Sequence, residues 1–319
     1  MGSVQQEKVT SAAELDRLWA FMSRRRHVAG RDELLRQGFT ASRIKNWLRG
    51  RRLTKLFRGI YAYGRDIETR EAAWRAALLV AGSGSALTSR SALELWGAAR
   101  LLRPIPQTIY VATPRDRAGK YRGISAALRN TWVHVVRRRF EPGDVREKNG
   151  LALMRAALAL LDFAVSAPEL DVKFAFLELC RLRLFGERDV AFCFRRSVGK
   201  RGAMKVKPLL GLWVPELNRI KSVLEGLFLL SWVPRRWKMP EVNAKVFGRE
   251  VDFLWRKEGI ALELDGDAFH TDPIARQRDL EKTRYLESKG LKVIRITWKE
   301  FMEDPDGVVE RIVRELGLV

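Results

Sequence analysis

The stretch REVDFLWRKEGIALELDG, residues 249–266, splits into two runs in which apolar side chains alternate with others. In the first, Val251, Phe253 and Trp255 face one way and Asp252 the other; in the second, Ile260, Leu262 and Leu264 face one way while Ala261, Glu263 and Asp265 face the other. Period-two alternation marks a strand, and Lys257-Glu258-Gly259 supplies a tight turn between the two. A hairpin turning there sets Asp252 opposite Glu263 or Asp265, so three carboxylates share one sheet face, about 5–8 Å apart at Cβ. Carboxylates so close repel and raise one another's pKa unless a cation neutralises them. With oxygen ligands alone, Mg2+ or Mn2+ suits such a face better than zinc.

Elements of both kinds flank this hairpin. Upstream, a helix is expected over Lys221–Leu230 and carries Glu225. Downstream, Asp272-Pro273 is an N-cap followed by proline at the first helical position; that helix runs to about Lys289, stops at Gly290, and leads into the strand LKVIRITW, residues 291–298. The order, αβββαβ in its fuller form, resembles the core of the PD-(D/E)XK nuclease superfamily. More closely, residues 220–315 resemble its very-short-patch-repair-like endonuclease branch, through Glu263, Asp265, Gly266, His270, Arg278, Asp279, Arg284, Leu286, Gly290, Val293 and Arg295.

The resemblance implies that Asp252 and Glu263 ligate the catalytic Mg2+ or Mn2+, with the Leu264 carbonyl joining, and that Glu225 reaches a second metal or a bound water. It implies metal-assisted phosphodiester hydrolysis. The superfamily's lysine two residues after the glutamate is missing, because Asp265 stands there. Either a basic residue of the next helix, Lys282 or Arg278, replaces it, or His270 takes the acid–base role, or Asp265 is itself a ligand. The favoured reading makes Asp265 an added ligand or orienter and His270, one of three histidines, the titrating group.

The charge of the chain is unevenly spread. Over 319 residues the net charge is +22. Residues 1–70 hold 16 basic and 7 acidic side chains, residues 71–215 hold 25 and 12, and residues 216–319 hold 19 of each. The excess favours a polyanionic partner, nucleic acid first, and sits apart from the carboxylate hairpin. There is no apolar run of membrane-spanning length and no signal-peptide pattern at Met1–Thr10. Cys180 and Cys193 lie in apolar sequence without metal-ligand spacing, reading as buried thiols of a cytoplasmic protein.

At the N-terminus, Leu15, Leu18, Trp19 and Met22 suggest a first helix, Arg31–Arg36 a second, and Ala41–Arg49 a third, capped by Thr40 and closed by Gly50. Ile44, Trp47 and Leu48 form the inward stripe of the third helix, leaving Ser42, Arg43, Lys45, Asn46 and Arg49 outside. A small β-wing follows, with Arg51, Arg52, Lys55 and Arg58 on its flanks. This winged helix-turn-helix order suits DNA: the third helix reads base edges in the major groove and the wing holds phosphates. GFTASRIKNWLRGRRLTKLFRGIYAYG, residues 38–64, resembles the N-terminal winged helix of AbiEi-type antitoxins of toxin–antitoxin systems. That resemblance implies promoter binding and autorepression.

Between these parts, helices are expected over Ala72–Val80, Ser89–Trp96, Leu151–Ala164 and Glu169–Leu184, and strands over Gln107–Ala112 and Trp132–Val136. The expected architecture is α/β and multi-domain: a winged helix-turn-helix at 1–70, a basic α+β middle domain at 71–215, and a restriction-endonuclease-like core with a mixed central sheet at 216–319. The expected function is a metal-dependent endonuclease acting on double-stranded or branched DNA, as a homodimer or with a partner protein of a toxin–antitoxin or defence system. The alternative is an AbiEi-like DNA-binding regulator whose nuclease fold is weak or inactive.

Overall fold

The computed structural model describes residues 12–64, 67, 69–102, 108–199, 201–266 and 273–318, with 273–276 by backbone alone. The chain forms two compact units, Met1–Trp96 with Arg103–Ala159 and Gly97–Leu102 with Leu160–Val319. Among the described residues no helix is long and apolar enough to cross a membrane.

The first unit begins with α1 (Ala12–Ser23), β1 (Val28–Gly30), α2 (Arg31–Arg36), α3 (Ala41–Arg49), β2 (Leu53–Phe57) and β3 (Ile60–Tyr63). The Thr40 hydroxyl accepts from the Arg43 N–H at 3.2 Å, satisfying a donor that the first turn of α3 leaves free. Ile44 and Trp47 turn inward onto Leu18, Met22, Leu34 and Leu53, a small core shared by three helices and the sheet. The antiparallel strands lie in the order β1-β3-β2, and the turn between β2 and β3 uses Gly59 at φ +76°, where a side chain would be strained.

Next come α4 (Arg70–Ala81), β4 (Ala86–Leu87), α5 (Ser89–Trp96), β5 (Thr108–Thr113), β6 (Gly119–Arg122), β7 (Trp132–Arg137), β8 (Val145–Lys148), β9 (Leu151–Met154) and α6 (Ala156–Ala164). The strands form one mixed sheet, β6-β7-β5-β4-β9-β8, with β5 parallel to β7 and β4 parallel to β9. The apolar helix expected over 151–164 is therefore two elements. Leu151–Met154 is a strand between β4 and β8, and the helix starts only at Ala156. A strand inside a sheet and a buried helix both read as unbroken apolar runs, so periodicity alone does not separate them. The Ile124 N–H bonds the Leu56 carbonyl at 2.8 Å, fastening β2 to the segment just after β6.

The second unit adds α7 (Glu169–Arg181), α8 (Glu187–Arg196), α9 (Ala203–Gly211), α10 (Val223–Trp232), β10 (Glu241–Val246), β11 (Arg249–Trp255), β12 (Ile260–Asp265), α11 (Pro273–Ser288), β13 (Lys292–Thr297), α12 (Trp298–Glu303) and α13 (Pro305–Glu315). Its sheet runs β10-β11-β12-β13, with β13 parallel to β12 through the α11 crossover and the other pairs antiparallel. Phe228 and Trp232 of α10 pack on Phe253 and Trp255, covering one sheet face. Leu286 of α11 clusters with Leu254 and Ala261 on the other. Cys180 and Cys193 are buried thiols rather than a disulfide.

Candidate active site

The hairpin register is Phe253↔Leu262, Leu254↔Ala261 and Trp255↔Ile260. Of the two registers the sequence allows, this one carries Asp252 toward Glu263. Asp252 Oδ2 accepts from the Leu264 N–H at 2.7 Å, which ties the carboxylate to the neighbouring strand. Burial is the main cause that pushes Asp252 up to a pKa of about 7, and the charges of Glu225 and Glu263 push in the same direction. Burial also raises Glu263, against the pull of Lys282.

Lys282 reaches the pair because it lies four residues before Leu286, on the helix face turned to the sheet. Its Nζ is 2.8 Å from both Glu263 oxygens. It makes a hydrogen bond to Oε2 and an ion pair with the buried Oε1. Two largely buried carboxylates, both raised and sharing one ammonium, are what a divalent cation would relieve, so Asp252 and Glu263 fit such an ion.

The other expected members are placed differently. Asp265 shares the face, but its two oxygens are held by Arg295 of β13 at 2.6 and 3.0 Å, a fork that neutralises it. Glu225, 3% exposed, accepts from the Lys221 N–H at 3.0 Å and from Asn243 Nδ2 at 2.7 Å. Among the described residues no three His, Cys, Asp or Glu side chains gather as a ligand set. What the hairpin and α11 bring together is a carboxylate pair with one ammonium. His270 lies outside the described residues, and Arg278 is exposed on α11.

Two residues of this site escaped the sequence reading as actors. Arg295 interrupts the apolar run of β13, and a lone arginine in a buried strand signals a carboxylate partner. Asn243 sits within β10 at φ +49° and drops out of the ladder between Val242↔Phe253 and Ala244↔Val251. Its amide donates to the Arg219 carbonyl at 3.0 Å as well as to Glu225. An asparagine amid strand-forming residues was the available sign, since Asn tolerates the left-handed region.

In the first unit, Ser42, Lys45 and Arg49 of α3 are exposed, while Arg43 and Asn46 are half-buried. Arg43 pairs with Glu14 at 3.2 Å. Arg51, Arg52, Lys55 and Arg58 are exposed around β2 and its turn.

The crystal structure of the RV2827C protein from Mycobacterium tuberculosis aligns at a TM-score of 0.40 and 17% identity, over 72% of this chain and 87% of that one. An uncharacterized protein of Haemophilus influenzae is 41% identical over 66 residues, which span 21% of this chain and only 40% of that relative's length. Residues 236–316 match the model of REase_MTES_1575, and this supports a restriction-endonuclease-like domain carrying β11, β12 and α11.

Proposed function

We propose that the chain is a divalent-metal-dependent DNA endonuclease, with Asp252 and Glu263 as metal ligands and Lys282 as the ammonium that position 265 lacks. The observation that carries this reading is the largely buried carboxylate pair Asp252 and Glu263 on facing strands, with the Lys282 ammonium 2.8 Å from Glu263. Mg2+ or Mn2+, when bound, would polarise a phosphoryl oxygen and lower the pKa of a water. The chain's own groups supply the rest. Lys282 offers positive charge where the phosphate gains negative charge. Arg295 offsets the charge that Asp265 adds beside Glu263, so the pair is not burdened by a third unpaired carboxylate. Asn243 holds Glu225 beside the pair rather than within it.

The α1–β1–α2–α3–β2–β3 segment is proposed to be a winged helix-turn-helix that brings the enzyme to DNA. Exposed Ser42, Lys45 and Arg49 would face the groove, and Arg51, Arg52, Lys55 and Arg58 the phosphates. Support comes from the element order and from the apolar stripe of α3, which turns the polar residues outward.

The test is a nuclease assay with linear, mismatched, branched and single-stranded DNA across a metal series. Cleavage is expected with Mg2+ or Mn2+, and Asp252→Ala and Glu263→Ala should each fall below about one hundredth of wild type. Binding without cleavage of any substrate overturns the enzyme reading in favour of a DNA-binding regulator of the antitoxin type.

A further inference from the structure

The sheet of the first unit has one face that the endonuclease reading does not use. Ile109, Val111, Val133 and Val135 of β5 and β7 are fully buried or nearly so on one side. The alternate residues point to the other side and stand in two rows across three strands. Tyr110, His134 and Lys120 are cross-strand partners in one row, and Thr108, Trp132 and Arg122 in the next. Strand geometry separates the rows by about 6.6 Å.

This face is aromatic and basic rather than apolar. Trp132 is 43% exposed, with the Arg122 guanidinium 5.9 Å from its ring centre. The Tyr110 and His134 rings are 5.8 Å apart. Burial, and next the Lys120 charge, lower the pKa of His134, which keeps its ring neutral at neutral pH. A cavity of about 340 Å³ opens over Thr108, Tyr110, Lys120, Trp132 and His134.

Lys120 also lines a second and larger hollow of about 1230 Å³, bounded by α2, the β2–β3 turn, the Gly82–Ser85 loop and β6. Nine Arg and Lys side chains line it against two carboxylates, Asp32 and Glu33. Both carboxylates lie on α2, and Glu33 is already paired with Arg75. Lys55, Arg58, Arg115 and Arg117 add to Lys120 and Arg122 around this hollow. Basic residues on the edge strand β6 would by themselves serve only to discourage edge pairing. They do not account for the cations facing them from the wing and the 115–117 loop.

We propose that this face binds single-stranded DNA, with bases stacked on Trp132 and Tyr110 and the phosphates led by Lys120 and Arg122 into the basic hollow. That the strand is DNA rests on the function proposed above. That it is single follows from the rings, because bases within a duplex do not present their faces, whereas unpaired bases stack on aromatic side chains whatever their sequence. Charge complementarity supplies the affinity and the rings supply the preference for an open strand. The ring face is distinct from the outward face of α3, while the hollow shares Lys55 and Arg58 with the wing.

The test uses the full chain in EDTA, with a labelled oligo(dT) of about 12 nucleotides followed by anisotropy. Wild type should bind it, and Trp132→Ala should weaken binding about tenfold. Trp132→Phe, which keeps a ring face, should retain most of the affinity. Binding of a duplex of equal length should be unchanged in both variants, and an unaltered melting temperature would show that both fold. Unchanged oligo(dT) binding in Trp132→Ala overturns the proposal, as does an equal loss in Trp132→Phe, or much tighter binding of oligo(rU) than of oligo(dT) by wild type. Cleavage plays no part in the readout. Absent nuclease activity with intact oligo(dT) binding therefore sinks the endonuclease reading alone, and lost oligo(dT) binding with intact cleavage sinks this one alone.

Discussion

Asp252 ties the folded state to pH through a single proton. An unperturbed aspartyl group titrates near 4, and this one titrates near 7. Between those values the metal-free folded chain holds a proton that the unfolded chain has released. The stabilisation is complete at low pH and is lost as pH rises through about 7, by an amount on the order of 4 kcal/mol. Glu263, also raised, acts in the same direction. Urea unfolding in EDTA should therefore give lower stability at pH 8 than at pH 5, and Asp252→Asn should remove most of the difference. An equal drop in both chains would place its source elsewhere. Lys282 offers a second measurement at this scale. Lys282→Met leaves the buried Glu263 carboxylate without its ammonium and should cost roughly 3 kcal/mol. Adding Glu263→Gln should recover much of that loss, and a double-mutant cycle in urea would register the coupling.

Among the elements, the segment after β6 is under tight steric control. A Cβ on Gly123 would lie 2.2 Å from the Leu128 carbonyl oxygen, and the next residue, Ile124, fastens β2. Gly123→Ala should destabilise the chain by about 1–3 kcal/mol, read as a lower melting temperature. The elements also show what a sequence discloses. The 249–266 hairpin was legible because its alternation and its turn admit only two registers. The caps at Thr40 and Gly290 were legible because each has a local cause. The split of Leu151–Ala164 was hidden, since burial on both sides of β9 erases the alternation that would mark it. The pairing of Asp265 with Arg295 was hidden for another reason. Thirty positions separate the two in the chain, and only the parallel docking of β13 on β12 brings them together. Lys282 was one of two basic candidates, with Arg278, until the turn of α11 toward Leu286 singled it out.

For the whole molecule, the uneven charge makes ionic strength the dominant variable. If residues 1–215 contribute six to ten phosphate contacts, DNA affinity should fall by about three to five orders of magnitude between about 50 and 200 mM salt. A titration series of the full chain would show this as a steep log–log slope, and a shallow slope would mean that few of these cations touch phosphate. The buried thiols of Cys180 and Cys193 have a practical corollary. They are the chain's two cysteines, and burial raises Cys180 well above the range in which a thiol reacts. A cysteine introduced at Lys45 or Arg122 would be the sole surface thiol, open to a crosslinker or a dye. Each proposed nucleic-acid surface could then be addressed covalently, one at a time, without removing any native residue elsewhere.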